Sequence, residues 1–177
     1  MYTYEFPKAD STSSIICYHL QPGNGSGNDK LTVLAIRRGK DPYKGMIALP
    51  GGFLDVVVRP RPGENVLPHP GETLERCAQR ELEEETCVRA PLDDFVLVCV
   101  QSKPERDPRN HVIDHVYCVE VPLEKIEGAK AADDAAELVH LHFERAKIDS
   151  SGWQDGGWAF DHADSLRRFF KNHLGWL

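Results

Sequence analysis

The stretch GETLERCAQRELEEETCV, Gly71 to Val88, decides how the rest of the chain is read. Leu74, Cys77, Ala78 and Leu82 recur at helical spacing, which predicts a helix over 72–86 with one apolar face. Thr73 is a candidate cap for its start. Glu81, Glu84 and Glu85 stand at i, i+3 and i+4, so all three carboxylates share one side. Like charges at those spacings cost roughly a few tenths of a kcal/mol per pair, and the helix dipole disfavours anions near the C-terminal end. Arg80, four residues before Glu84, relieves part of this. A hard divalent cation with oxygen ligands would relieve the rest. A solvated acidic face is the alternative reading of the same three residues.

Upstream, ALPGGFLD, Ala48 to Asp55, places two glycines after a proline. Side chains do not explain a Gly-Gly pair, so the backbone itself is wanted there, and a turn presenting a bare carbonyl adds a hard oxygen ligand. Between these two stretches lies VVVRPRPGENVLPHP, residues 56–70, whose four prolines exclude a helix or a central strand. It reads as an insertion that opens with a short strand.

Residues 13–20 and 31–37 read as strands joined by the turn-rich PGNGSGND. RRGKDPYKGMIALPGG reads as a long loop. Residues 95–100, 112–121 and 138–143 are further strands, and Asp161 is a candidate N-cap for a terminal helix carrying Leu166, Phe169, Phe170 and Leu174. Strands bracketing a central helix, with another helix at the end, predict an α/β layered domain with a mixed sheet. One domain over 1–177 is the simplest division of this length.

A net charge of −7 argues against general nucleic-acid binding, which needs a basic face. No apolar run approaches a membrane span, and no secretory signal is visible. Five scattered cysteines without a C-x-x-C pair predict reduced thiols in a cytoplasmic protein.

The Gly71–Val88 stretch resembles the Nudix box: Glu72, Arg80, Glu81, Leu82, Glu84, Glu85 and Val88 match its pattern, and ALPGGFLD matches the loop that begins it. Two departures stand out. Nineteen residues, 53–71, separate Gly52 from Glu72 where the family pattern has five, a lengthening that costs about 1 kcal/mol in loop closure. Cys87 stands where the box ends in glycine, at roughly 1 kcal/mol if that position is left-handed.

The resemblance implies a Nudix-type α/β/α sandwich with a mixed β-sheet. It also implies hydrolysis of a nucleoside diphosphate linked to another moiety, with Mg²⁺, or Mn²⁺ in its place, as cofactor. By matching position, Gly51, Glu81, Glu84 and Glu85 become the metal ligands and Arg80 orients a carboxylate. Glu72 supports the loop–helix junction. The general base stays open among Glu81, Glu85 and an acid of KAADDAAEL, which offers Asp133, Asp134 and Glu137. RRGKDPYKG and PERDPRNH are similar to the subgroup that cleaves ADP-ribose. That makes Arg37, Arg106 and Arg109 the substrate-binding candidates and ADP-ribose, split to AMP and ribose 5-phosphate, the leading substrate. A dinucleotide or an oxidised nucleoside triphosphate is the neighbouring alternative. A non-catalytic ADP-ribose sensor is the alternative of another class, although the chain ends one helix past the domain and leaves no room for a DNA-binding module. A small-molecule nucleotide is the expected partner, with nucleic acid and membrane excluded. Homodimerisation through Trp176 and Leu177 is left open.

Overall fold

The computed structural model describes residues 7–24, 27–58, 67–150 and 152–177. Its frame is a seven-stranded mixed sheet: β1 (Asp10–Gln21), β2 (Lys30–Arg38), β3 (Ile47–Ala48), β4 (Gly51–Phe53), β5 (Val96–Gln101), β6 (Val112–Glu120) and β7 (Ala135–Glu144). β3, β2, β1, β6 and β5 lie in that order, β4 pairs with β1, and β7 with β2. Only β1 and β6 run parallel, in register from Asp10 opposite Val112 to Tyr18 opposite Glu120.

β1 is buried on both sides, and its side chains divide by parity. Ile15 and Cys17 join Leu34, Ala78, Leu82 and Tyr117 under helix α1 (Leu74–Thr86). Ile16 and Tyr18 join Val33, Val116, Phe169 and Phe170 on the opposite face. A strand covered on both faces reads as a nearly continuous apolar run, as SIICYHL does. The second face is closed by α3 (His162–Arg168) and a π-helical turn, Phe169–Leu174. The sheet therefore sits between two helical layers, as the box resemblance implied.

α1 starts at Leu74 rather than at residue 72, because Thr73 takes an extended conformation and its hydroxyl accepts from the Arg76 N–H, 3.3 Å. The stretch read as one loop contains β3 and β4, too short to carry a period. A one-turn helix, α2 (Leu123–Glu127), follows Pro122, and β7 begins at Ala135, earlier than its apolar residues suggest. Val58 bridges His69 at the two ends of the insertion; residues 59–66 lie outside the described part. Asp161 precedes α3 but makes no capping hydrogen bond, since its carboxylate is turned to Arg106. Trp176 is not a surface contact: it is buried, with its ring stacked on Phe170. Among the described residues no helix is long and apolar enough to cross a membrane.

Candidate active site

β4 is where the glycine pair is used. Gly51 lies against β1 so closely that a Cβ there would overlap the backbone of Ser13 and Ser14. At Gly52 a Cβ would overlap the Glu81 carboxylate instead. The first glycine thus permits the strand pairing, and the second lets the helix bring its acid up to the strand. The Gly51 N–H donates to Glu85 Oε2 at 2.9 Å, so loop and helix are joined directly.

Arg80 organises the outer side of this junction. Its guanidinium holds both oxygens of Glu72, at 2.7 and 3.2 Å, and donates to Glu81 at 2.7 Å, Glu84 at 2.9 Å and the Phe53 carbonyl at 3.1 Å. Glu72 in turn exchanges hydrogen bonds with Asp55, accepting from its N–H and donating its own N–H to its carbonyl. The long insertion leaves from this clamp and returns to it.

Glu81 and Glu85 are buried, whereas Glu84 is open to solvent. Burial raises the Glu81 carboxyl, against the lowering effect of Arg80. Burial likewise pushes Glu85 up to about 8, with the Glu81 charge adding to the rise. Among the described residues no three His, Cys, Asp or Glu side chains are gathered closely enough to hold a metal ion. The triad expected from the helix is therefore not closed around one point: Arg80 takes Glu81 and Glu84, and the Gly51 amide takes Glu85. The donor chemistry still fits a hard cation, since the oxygens are carboxylates and the buried Glu85, whose hydrogen bond comes from a backbone N–H, is costly to ionise without a positive partner.

The same acids line a cleft of about 310 Å³, whose lining also holds arginines and further aspartates. Arg106 and Arg109 both line it, but neither is an open fork. Arg106 is 3% exposed and clamped between Asp161, at 2.6 Å, and Asp114, at 3.2 Å. Thr12 and Ser14 also donate to Asp114. Arg109 chelates Asp107 through Nε and a terminal nitrogen and lies over the Phe53 ring, 4.8 Å from its centroid. Arg37 is outside the cleft, paired with Glu137 at 2.9 Å and donating to the Gly45 carbonyl. Its neighbour Arg38 lines the cleft instead. Asp133 and Asp134 also reach it, and Glu137 does not.

Arg38, Asp114, Phe160 and the true role of Asp161 were missed from the sequence. Strand parity holds the signal for the first: Arg38 shares its side of β2 with Leu34 and Ile36, and Leu34 faces α1. For Asp114 it was an acid in the apolar run VIDHVYCV, which burial obliges to find a cation.

Known proteins place this arrangement in a family. The model of the NUDIX domain matches residues 13–168. The chain is 36% identical over 134 residues to the ADP-ribose pyrophosphatase of Methanocaldococcus jannaschii, covering 70% of this chain and 68% of that protein. It is 28% identical over 141 residues to the ADPR responsive transcriptional repressor NtrR of Acinetobacter baylyi, covering 80% of this chain but 47% of the repressor. A mutT/nudix family protein from Listeria innocua superposes with a TM-score of 0.65 at 32% identity, over 94% of both chains. The chain belongs to the Nudix family and is one of its pyrophosphohydrolases.

Proposed function

We propose that the protein hydrolyses ADP-ribose to AMP and ribose 5-phosphate with Mg²⁺, or Mn²⁺ in its place. The observation that carries this reading is one cleft lined both by the carboxylates of α1 and by guanidinium groups from β2 and the β5–β6 loop. That is the charge pattern a pyrophosphate and its counter-cation need together. The 36% identity to an ADP-ribose pyrophosphatase supports the choice of nucleotide.

In the reaction, water oxygen bonds to one phosphorus as that phosphorus separates from the bridging oxygen, and a site carboxylate takes a water proton. Glu81, Glu84 and Glu85, with the Gly51 backbone, would hold the metal, which when bound screens the phosphate charge and acidifies water. Arg80 fixes the carboxylates in place. Glu81, Glu85, Asp133 and Asp134 are the candidates for the base. Arg106 ties the β5–β6 loop to Asp114 and Asp161 at the edge of the cleft. The five free thiols suit the reducing cytoplasm, and a small nucleotide, rather than nucleic acid, is the partner.

The test follows AMP release from ADP-ribose with Mg²⁺, for the wild type and for Glu84→Gln and Glu85→Gln. The expected result is turnover by the wild type and a fall of at least about a hundredfold in each variant. Binding without turnover, with Mn²⁺ as well, would favour a sensor of the kind the repressor's name describes. Turnover of a dinucleotide or an oxidised nucleoside triphosphate alone would keep the site and change the substrate.

A further inference from the structure

The sheet has two edge strands, and they are built differently. β7 pairs with β2 alone among the described residues, and it carries Glu137, His140, His142 and Glu144. Polar and charged side chains of that kind discourage pairing with a further strand. β5 pairs with β6 and ends the sheet on the other side. It reads VLVCVQ, six residues with neither a charge nor a proline. Among the described residues no backbone hydrogen bond reaches its outer edge.

Val98 and Cys99 pack against the core beneath the sheet, but Val96, Leu97 and Val100 belong to no core cluster. They are 49%, 50% and 43% exposed. Outside the glycine loop and the insertion, these are the exposed large apolar side chains among the described residues. Leu97 stands opposite Tyr117 and Val100 opposite His115, because the pairing shifts between Leu97 and Cys99. Tyr117 and His115 are two apart on β6, so Leu97 and Val100 share one face, the side of α1. α1 reaches Tyr117, whose hydroxyl donates to Glu75 at 3.3 Å, and β5 lies one strand further out. A bulge can blunt an edge by twisting it. This one instead leaves an apolar pair together on the uncovered face.

The flanks of β5 carry opposite charges. Asp93 and Asp94 precede it in the turn Leu92–Asp94, Lys103 follows it, and all three are exposed. Within the chain Lys103 has a long contact with Asp164, 3.9 Å. A strand that is acidic before its start and basic past its end is complementary to a reversed copy of itself.

We infer that a second copy of this chain pairs antiparallel with β5 across a two-fold axis, so that one sheet runs through both copies. In the register that the charges select, Asp94 of each copy lies opposite Lys103 of the other. The same register sets Leu97 opposite Val100 and Val96 opposite Gln101, reciprocal contacts of the kind a two-fold interface requires. Leu97 and Val100 then cover each other on the α1 side from both directions. One strand and its flanks make a small interface, so the dimer dissociates on dilution. β5 supplies none of the residues that line the cleft, which stays open in both copies.

The test is sedimentation equilibrium of the full chain over a range of concentrations, with hydrogen exchange followed across residues 96–101. The wild type is expected to rise towards twice the chain mass, and the β5 amides to exchange more slowly at the concentrated end. Leu97→Lys changes both halves of the interface and should raise the dimer dissociation constant at least about a hundredfold. Adding Val100→Glu sets opposite charges across the strands and should restore part of the affinity. Asp94→Lys, outside the strand, should weaken the dimer roughly threefold or more, and Asp94→Lys with Lys103→Asp should reverse the loss. That second pair decides the matter if circular dichroism shows Leu97→Lys to be unfolded. A wild type that stays monomeric throughout would overturn the inference. So would a dimer that both substitutions leave intact, which would place the contact on another face. Slow exchange across 96–101 in a monomer would also overturn it, since another segment of the chain would then cover the edge.

Discussion

Cys87 ends α1 in a left-handed conformation, φ 59° and ψ 13°, with its N–H donating to the Glu83 carbonyl. The family's box has glycine here, and the geometry explains why: a Cβ at positive φ costs about 1–2 kcal/mol. Glycine's extra freedom in the unfolded chain returns part of that, roughly 0.5–1 kcal/mol. Cys87→Gly is therefore expected to stabilise the protein by up to about 1 kcal/mol, read as a higher urea midpoint at unchanged slope. A lower midpoint would mean that the cysteine makes a compensating contact. At this scale the sequence was informative wherever chemistry repeats in a pattern, as with the three glutamates. It was least informative where two like residues adjoin. Arg37 and Arg38 are indistinguishable by composition, and what separates them is the parity of β2, which sets Arg38 on the side of Leu34 and Ile36.

β4 and α1 meet through the glycine pair, and the two glycines fail in different ways. At Gly51 an added methyl meets the β1 backbone, which has nowhere to go. At Gly52 it meets the end of the Glu81 side chain, which can swing aside. Gly51→Ala should thus cost about 2 kcal/mol or more of stability through overpacking. Gly52→Ala should cost under about 1 kcal/mol but lower turnover at least about tenfold by displacing Glu81. Urea unfolding and AMP release on both variants check this, and the idea falls if both lose stability alike. α1 was legible because thirteen residues repeat one apolar face beside a threonine cap. β3 and β4 were not, because strands of two and three residues are defined by what they pair with. Asp161 misled for a related reason. An acid before a helix reads as a cap, but the buried Arg106, brought from 55 residues away, is the stronger claimant.

Across the whole molecule, the sheet separates two cores, and the terminal segment closes one of them while also gripping the site. Residues 157–162 lie along β3: the Ile47 N–H donates to the Gly157 carbonyl, the Ala159 N–H to the Ile47 carbonyl, and the Leu49 N–H to His162. From there Leu166, Phe169 and Phe170 run beneath the sheet. The β3 end of the glycine loop is thus fastened to the last helix by a neutral, fully buried imidazole. Burial first, and then the Arg106 charge, lower the His162 pKa from 6.5 to about 3. Below pH 6.5 the unfolded chain takes up a proton that the folded ring refuses until about pH 3. The unfolded state binds more protons throughout that window, so this stability is complete above it and is lost as the pH falls through it. Each unit crossed costs about 1.4 kcal/mol. Asparagine at 162 has no proton to take up, while its Oδ1 preserves the acceptor for Leu49. In urea titrations below pH 6.5, His162→Asn should therefore lose stability less steeply than the wild type. Parallel slopes would show that the buried imidazole takes up its proton in the fold as readily as in the unfolded chain.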